Sequence, residues 1–339
     1  MVADFNTRRK LLHVVGAGAL LLKDGSVAQE LRSSINADPI RLGSISAAQP
    51  FALMDGHYVQ LLGGSKPLTQ VSETSGITGE GTITGPHGPS AMRFGKIADP
   101  LNTKRTVFYM AAKRTDGMTH SHLGRVEMGI NQRTGAMQKK GVTYWMSTEM
   151  LMSPSRFAAG NGNLLQVHNS TPTSDVFGPF AVAFQTRVFP NRGATVVRAW
   201  SSQSSPKLPG FNAQVTYPWT SNNAGFPGNA VTDNVTQTFG AYPVGQWVKF
   251  VCKYRGDPDG HMGLLQIWLT TGGVTTPIVN LSDIRIGTAP QGFPFDYVKT
   301  GLDDFSLGGG ADGVWELRRS LSLYQDNGNT EPQIRALMP

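Results

Sequence analysis

Cysteine is almost absent from this sequence, because Cys252 is the only one among 339 residues. A single cysteine cannot form a disulfide within the chain, and it excludes metal sites built from several thiolates. Cys252 lies in the alternating segment WVKFVCKY, which predicts a buried core position rather than a nucleophile. The fold must therefore be held by packing, hydrogen bonds and ion pairs.

Charged residues are also scarce, at 16 % of the chain, and no run of five or more lysines and arginines occurs. The absence of such a run excludes a basic arm for nucleic acid, so no nucleic-acid partner is predicted. The net charge is nevertheless +7. A basic balance favours an anionic partner such as an acidic polysaccharide, although it also serves solubility alone.

Long hydrophobic runs are missing as well. The longest candidate, residues 11–22, is too short to cross a bilayer, so no stable membrane span is predicted. Arg8 and Arg9 precede it and the small-residue stretch 26–28 follows, which together resemble a twin-arginine export signal. This pattern predicts an extracellular protein. An ordinary terminal element, or an uncleaved segment carried on a virion, are the alternatives.

Glycine (40) and proline (21) are plentiful, and no long amphipathic helix is evident. Short alternating segments separated by turn residues recur from residue 105 onward, which is typical of an all-β protein. We expect a β-jelly-roll sandwich of two antiparallel sheets, spanning residues 86–339. Residues 1–85 are predicted to form a small irregular export or attachment region, with the turn cluster GPHGPS at the boundary.

Several segments recur in a characteristic order between residues 105 and 326. They are GRVEMG, YWMSTEMLM, NLLQVHN, WVKFVCKYRGDPDGHMGLLQIWL and SLSLYQ. This ordered set resembles the heparin lyase I-like polysaccharide lyases, which include glucuronan lyases. The resemblance implies a concanavalin A-like jelly roll and eliminative cleavage of a uronic-acid polysaccharide, without a cofactor.

The resemblance also implies site residues. His168 matches the catalytic histidine of a Gln-x-His strand, and Tyr324 matches the tyrosine of the final strand. Arg125 and Glu127 match an Arg-x-Glu pair that contacts substrate. A purely structural ion pair is the alternative for Arg125 and Glu127, and a packed aromatic ring is the alternative for Tyr324.

The final strand departs from the family pattern Lys-x-Gly-x-Tyr-Arg. Ser320, Ser322 and Gln325 stand at the lysine, glycine and arginine positions. Arg318, just upstream, is the predicted substitute for the missing cation.

The chemistry of β-elimination explains why these residue types are needed. A base removes the C5 proton of a uronate, and a donor must neutralise the carboxylate next to it. Histidine titrates near neutral pH and suits the base, and a tyrosine can protonate the leaving oxygen. Gln166 and Asn169 flank His168 as candidate amide ligands of the substrate, and residues 166 and 168 share one face of a strand.

Metal sites remain as minor alternatives. His120 and His122 could share a metal ion, but the sequence shows no third ligand nearby. Asp257 and Asp259 could belong to a calcium loop, although a hairpin turn explains them equally well.

Two rival functions use the same fold. A glycoside hydrolase needs two carboxylates at a set separation, and Glu149 and Glu316 are single carboxylates on their strands. A non-catalytic carbohydrate-binding protein, such as an adhesin, is the second rival. In either activity the chain could be attached to a phage tail or capsid, as a homo-oligomer or with other virion proteins.

Overall fold

The structure is a computed structural model. It describes residues 38–61, 64–113, 125–131, 141–159, 163–169, 181–189, 194–199, 216–217, 243–256, 262–284, 297–302 and 313–339. The N-terminal export pattern and the residues His120, His122, Asp257 and Asp259 lie outside these ranges.

Seventeen strands and two short α-helices make up most of the described chain. The strands are β1 Ile40–Ser46, β2 His57–Leu61, β3 Gly64–Pro67, β4 Ile77–Gly85, β5 Gly88–Asp99, β6 Asn102–Ala112, β7 Val126–Asn131, β8 Thr143–Met152, β9 Asn163–Asn169, β10 Ala181–Phe189, β11 Ala194–Ala199, β12 Thr216–Tyr217, β13 Trp247–Arg255, β14 Gly263–Thr271, β15 Val274–Ile284, β16 Tyr297–Leu302 and β17 Val314–Gln325. The helices are α1 Pro154–Ala159 and α2 Glu331–Ala336. The sequence did not indicate either helix.

The strands form two antiparallel sheets, which confirms the predicted β-jelly-roll sandwich. The nine-stranded sheet has the order β15-β14-β13-β8-β17-β6-β5-β4, and β1 also pairs with β17. The eight-stranded sheet has the order β12-β11-β10-β9-β16-β7-β2-β3. Neighbours in both sheets are often distant in sequence, so pairing rather than chain order decides which residues meet.

The main core lies between the two sheets. Strand alternation sends every second residue inward, and Phe51, Phe94 and Phe108 pack there with ring centroids 5.7–6.0 Å apart. Cys252 is fully buried in this core, as the sequence predicted, and burial raises the pKa of its thiol well above the usual value. A thiol with a raised pKa is a poor nucleophile at neutral pH, so Cys252 has a packing role.

The region before residue 85 contributes to both sheets. β1 pairs with β17, β2 pairs with β7, and β4 pairs with β5. Strands on the two sides of the boundary predicted at residue 85 are thus hydrogen-bonded to each other. The glycine, serine and threonine of this region suggested irregular structure, but they occupy largely exposed edge strands such as β3 and β4.

The C-terminal segment covers the outer face of the nine-stranded sheet. Ile334 on α2 and the following Met338 pack against Trp145, Val251 and Tyr324. A capping box starts this helix, because the backbone N–H of Thr330 donates to Gln333 Oε1 at 2.8 Å. This packing closes an apolar patch that the sheet alone would expose to water. No helix among the described residues is long and apolar enough to cross a membrane.

His57, at the start of β2, makes the stability of the fold sensitive to pH. Burial lowers the pKa of His57 below the usual histidine value of 6.5. The folded state then binds this proton less readily than the unfolded state, so the contribution is fully present above pH 6.5 and is lost as pH falls through the lowered pKa. We expect the unfolding free energy to fall below pH 6.5 with a slope of at most about 1.4 kcal/mol per pH unit from this group.

Urea unfolding measured from pH 7 downward checks this dependence. The His57→Gln variant should show a flatter profile between pH 6.5 and about 5, above the range where carboxylates dominate. His87→Gln removes an exposed histidine and controls for the loss of a histidine as such. An unchanged slope in His57→Gln would contradict the assignment.

Candidate functional site

Strand β16 joins the two sequence motifs that the resemblance singled out. It lies between β7, which follows Arg125 and carries Glu127, and β9, which carries Gln166 and His168. Lys299 of β16 is directly opposite Gln166, and Tyr297 is directly opposite His168. Directly opposite residues of an antiparallel pair share a face, with Cβ atoms about 5 Å apart.

These residues belong to the outer face of the eight-stranded sheet. On β16, Val298 and Leu302 pack into the main core, so alternation assigns Lys299 to the outer face. On β7, Val126 and Met128 are in the core, which assigns Glu127 to the same outer face. Leu165 fixes β9 in the same way. Gln166 and His168 therefore share this face with Lys299 and Glu127. We call this set of positions the polar face.

An ion-pair triad of Arg125, Glu127 and Lys299 lies on the polar face. Lys299 Nζ lies 2.8 Å from Glu127 Oε2, and Arg125 Nε lies 3.0 Å from the same oxygen. One carboxylate thus holds two cations, and the triad carries a net charge of +1. The side chain of Lys299 is 2 % exposed, while that of Arg125 keeps 11 %. A charge in such a dry environment acts more strongly on a neighbouring anion than it would in water.

A row of polar positions extends from the triad across the sheet. Consecutive pairings join Lys299 to Gln166, Gln166 to Gln185, and Gln185 to Arg198. The row therefore runs perpendicular to the strands over β16, β9, β10 and β11. A second row places Tyr297 opposite His168. These two rows of positions therefore carry a lysine, two glutamines, an arginine, a histidine and a tyrosine.

Strand alternation separates Asn169 from the other predicted ligands. Asn169 follows His168 on β9 and pairs with Ala181, so it belongs to the opposite face from Gln166 and His168. The prediction that both amides flank the imidazole on one face is therefore not supported for Asn169, because adjacent strand residues alternate.

Tyr324 and Arg318 lie in the other sheet, away from the polar face. Tyr324 is 1 % exposed, and its hydroxyl donates to the carbonyl of Leu337 at 3.4 Å beneath the C-terminal segment. Arg318 is fully buried, and its Nε lies 2.8 Å from Glu316 Oε1. The physical reason is that β17, the final strand, pairs with β6, β8 and β1 rather than with β9.

Sequence reasoning missed Tyr297 and Lys299, although a signal for them is present. The segment YVKTG contains the Lys-x-Gly spacing of the family pattern at Lys299 and Gly301. The resemblance assigns the pattern to the last strand of the chain, whereas β16 is the strand that pairs with the Gln-x-His strand. Asp303 stands two residues after Gly301, where the pattern has its tyrosine, so the match is partial.

The two carboxylates considered for glycoside hydrolysis are on different sides of the nine-stranded sheet. Glu149 alternates with the core residues Met150 and Met146, and Glu149 Oε1 pairs with Arg319 on the outer face at 2.5 Å. Glu316 is opposite Met110 and Met152, so it lies on the core side. A pair of catalytic carboxylates must flank one bond, and this arrangement does not allow it.

Among the residues that the structure describes, no group of three or more His, Cys, Asp or Glu side chains could hold a metal ion. Calcium binding by Asp257 and Asp259, and metal binding by His120 and His122, stay predictions.

Alginate lyases are among the solved structures with a similar fold, at low identity. A marine PL-14 alginate lyase from Aplysia kurodai matches with a TM-score of 0.45 and 10 % identity, over 69 % of this chain and 87 % of its own. Alginate lyase A1-II′, a member of polysaccharide lyase family 7, matches with a TM-score of 0.45 and 15 % identity, over 80 % and 95 %. The exolytic PL7 alginate lyase AlyA5 from Zobellia galactanivorans gives 0.44 and 10 %, over 82 % and 96 %.

No protein-family model matches the chain, and no curated protein matches it. The structures named above are alginate lyases, whereas the sequence motifs suggested the heparin lyase I-like group, so that finer assignment stays a prediction. At these identities and TM-scores the similarity does not by itself indicate a shared activity.

Proposed function

We propose that this protein cleaves a uronic-acid polysaccharide by β-elimination on the polar face of its eight-stranded sheet. The observation that carries the proposal is the register of β16, which places Tyr297 opposite His168 and Lys299 opposite Gln166. With this register the proposed base on β9 would meet the proposed acid and a cation on β16, although the two strands are far apart in the sequence. Such convergence on one face is what eliminative cleavage requires.

The reaction needs no co-reactant. The C5–H and C4–O bonds of the uronate break, a C4=C5 double bond forms, and the proton from C5 goes to a base on the protein. The expelled O4 takes a proton from an acid and becomes the new chain end. His168 and Tyr297 are the proposed base and acid, because imidazole and phenol can both transfer protons in a hydrogen-bonded site.

The ion-pair triad has the charge needed to activate the substrate. Removal of the C5 proton builds negative charge on the neighbouring carboxylate, and fixed cations stabilise that charge without reorganisation. Arg125 is the most exposed member of the triad and is the proposed direct ligand of the carboxylate. Lys299 is almost completely buried, and its positive charge would stabilise the substrate carboxylate without contacting it. Gln166 would donate an amide hydrogen bond to the substrate.

Ultraviolet absorbance of the purified protein mixed with a panel of polysaccharides tests the proposal. The panel should contain alginate, glucuronan and a heparin-like polymer, with a neutral glucan as control. We expect the unsaturated-uronate band to grow with at least one acidic polymer and not with the glucan, because only a uronate carboxylate acidifies C5. No band with any polymer, from a folded protein, would contradict lyase activity.

Binding without cleavage is the outcome that favours the second candidate, a carbohydrate-binding protein. The net positive triad and the amide row would then hold an acidic glycan without acting on it. Native gels containing each polymer distinguish this outcome, because a bound polyanion retards the protein. Extracellular location and attachment to a virion remain predictions in both cases.

A further inference from the structure

Tyr58 on β2 adds an aromatic side chain to the polar face from outside the region that carries the family resemblance. Tyr58 is directly opposite Gly129 on β7, and Gly129 is directly opposite Lys299 on β16. Val59 and Leu61 are in the core, so alternation places Tyr58 on the outer face with Lys299. The four positions Tyr58, Gly129, Lys299 and Gln166 thus form one continuous row.

The ring of Tyr58 occupies the space where residue 129 has no side chain. A Cβ built on Gly129 would lie 2.5 Å from the hydroxyl oxygen of Tyr58 and 2.7 Å from its Cε1. The far end of the ring therefore extends across β7 toward the strand of Lys299. Gly129 is required here for close approach, since any side chain would collide with the ring.

Tyr58 is only half-buried, and Lys299, whose side chain is almost completely buried, is the next position but one along the same row. A pyranose ring presents C–H groups on its faces and polar groups at its edge. An aromatic ring next to a cation can therefore contact a sugar face while the cation attracts the carboxylate at the edge. Tyrosine suits this position because its ring is apolar and its hydroxyl tolerates water.

We propose that Tyr58, seated over Gly129, is a substrate-binding aromatic platform for the sugar next to the uronate held by the triad. This inference rests on the proposed function and goes beyond it by naming a binding contact supplied by the N-terminal region. Its role is to bind rather than to transfer protons. Loss of the ring should therefore raise KM and leave kcat nearly unchanged, as expected for uniform binding.

Steady-state kinetics on the polymer that the wild-type protein cleaves provide the test. Tyr58→Ala should raise KM by about tenfold or more, equivalent to about 1.4 kcal/mol of lost contact. Tyr58→Phe keeps the ring and should retain the wild-type KM. If Tyr58→Phe is as impaired as Tyr58→Ala, the hydroxyl acts and the platform is wrong. If Tyr58→Ala keeps the wild-type KM, the inference is also wrong while the lyase proposal stands.

Gly129→Ala gives an independent route to the same effect. The added methyl group should displace the ring and raise KM in the wild-type background. The same change should have little further effect in Tyr58→Ala, because the ring it displaces is already gone. Equal effects of Gly129→Ala in both backgrounds would contradict the platform, since the methyl group would then act through the backbone or the substrate directly.

Gel retardation in the presence of polymer separates failure of this inference from failure of the proposed function. A wild-type protein that neither binds nor cleaves any uronic-acid polymer would overturn both. A protein that binds without cleaving still reports on Tyr58, because Tyr58→Ala should weaken retardation and Tyr58→Phe should not. Urea unfolding of each variant shows whether the changes reflect lost stability instead.

Discussion

Tyr297→Phe is expected to lower kcat on the cleaved polymer by a factor of about 10²–10⁴, the usual contribution of a positioned acid or base. His168→Ala should cause a loss of the same order for the same reason. Tyr324→Phe is expected to keep the wild-type kcat. The comparison is matched, because both tyrosine variants lose one hydroxyl and keep the ring.

The contrast follows from strand pairing. Tyr297 is opposite His168 in the eight-stranded sheet, whereas Tyr324 is buried beneath α2 on the outer face of the other sheet. The hydroxyl of Tyr324 donates only a long hydrogen bond of 3.4 Å to Leu337. Removal of this hydroxyl should lower the free energy of unfolding by about 1 kcal/mol at most. It should not change kcat, because Tyr324 is buried away from the polar face.

Initial rates of absorbance increase at saturating polymer measure kcat directly. Urea unfolding of each variant serves as the control, since a variant that is largely unfolded would lose activity for an unrelated reason. Full activity in Tyr297→Phe, together with loss in a stable Tyr324→Phe, would return the catalytic role to the final strand. It would also contradict the use of β16 as the strand that completes the site.

The sequence predicted the strands better than it predicted their partners. Alternation identified β13 over Trp247–Arg255 and β9 over Asn163–Asn169, because each strand has one face toward the core. It did not identify β16, a six-residue strand whose outer face carries Lys299. Pairing is a property of the whole sheet, so the order β9-β16-β7 cannot be derived from any one segment.

The same limit explains which residues of the candidate site the sequence could suggest and which it could not. Arg125, Glu127, Gln166 and His168 were predicted because short local motifs carry them, and their roles stay predictions. The roles given to Tyr324 and Arg318 rested on the final strand, whose neighbours could only be seen in the fold. Tyr58 was outside any motif, and only its approach to Gly129 indicates it. The composition of residues 1–85 suggested an attachment region. It could not exclude strands, because glycine-rich and polar segments form edge strands as well as loops.

Glu127→Gln is expected to destabilise the fold by about 3–5 kcal/mol, because it removes the carboxylate charge next to the buried Lys299 ammonium. Lys299 is 2 % exposed and lies 2.8 Å from Glu127, and Arg125 lies on the same carboxylate oxygen. A neutral amide cannot offset two neighbouring positive charges in a dry environment. Since domains are stable by only about 5–15 kcal/mol in total, the loss should be large in urea unfolding.

The double variant Glu127→Gln with Lys299→Met shows whether charge is the cause. Removing the buried cation together with its partner should recover much of the lost stability, because the charge in the driest position is then removed as well. Glu331→Gln is the matched control, since its partner Arg335 is 33 % exposed on the same helix, and it should cost only about 0.5 kcal/mol. A double variant less stable than Glu127→Gln would show that Lys299 contributes mainly by packing. The charge of Lys299 would then not be the cause of the stability lost in Glu127→Gln.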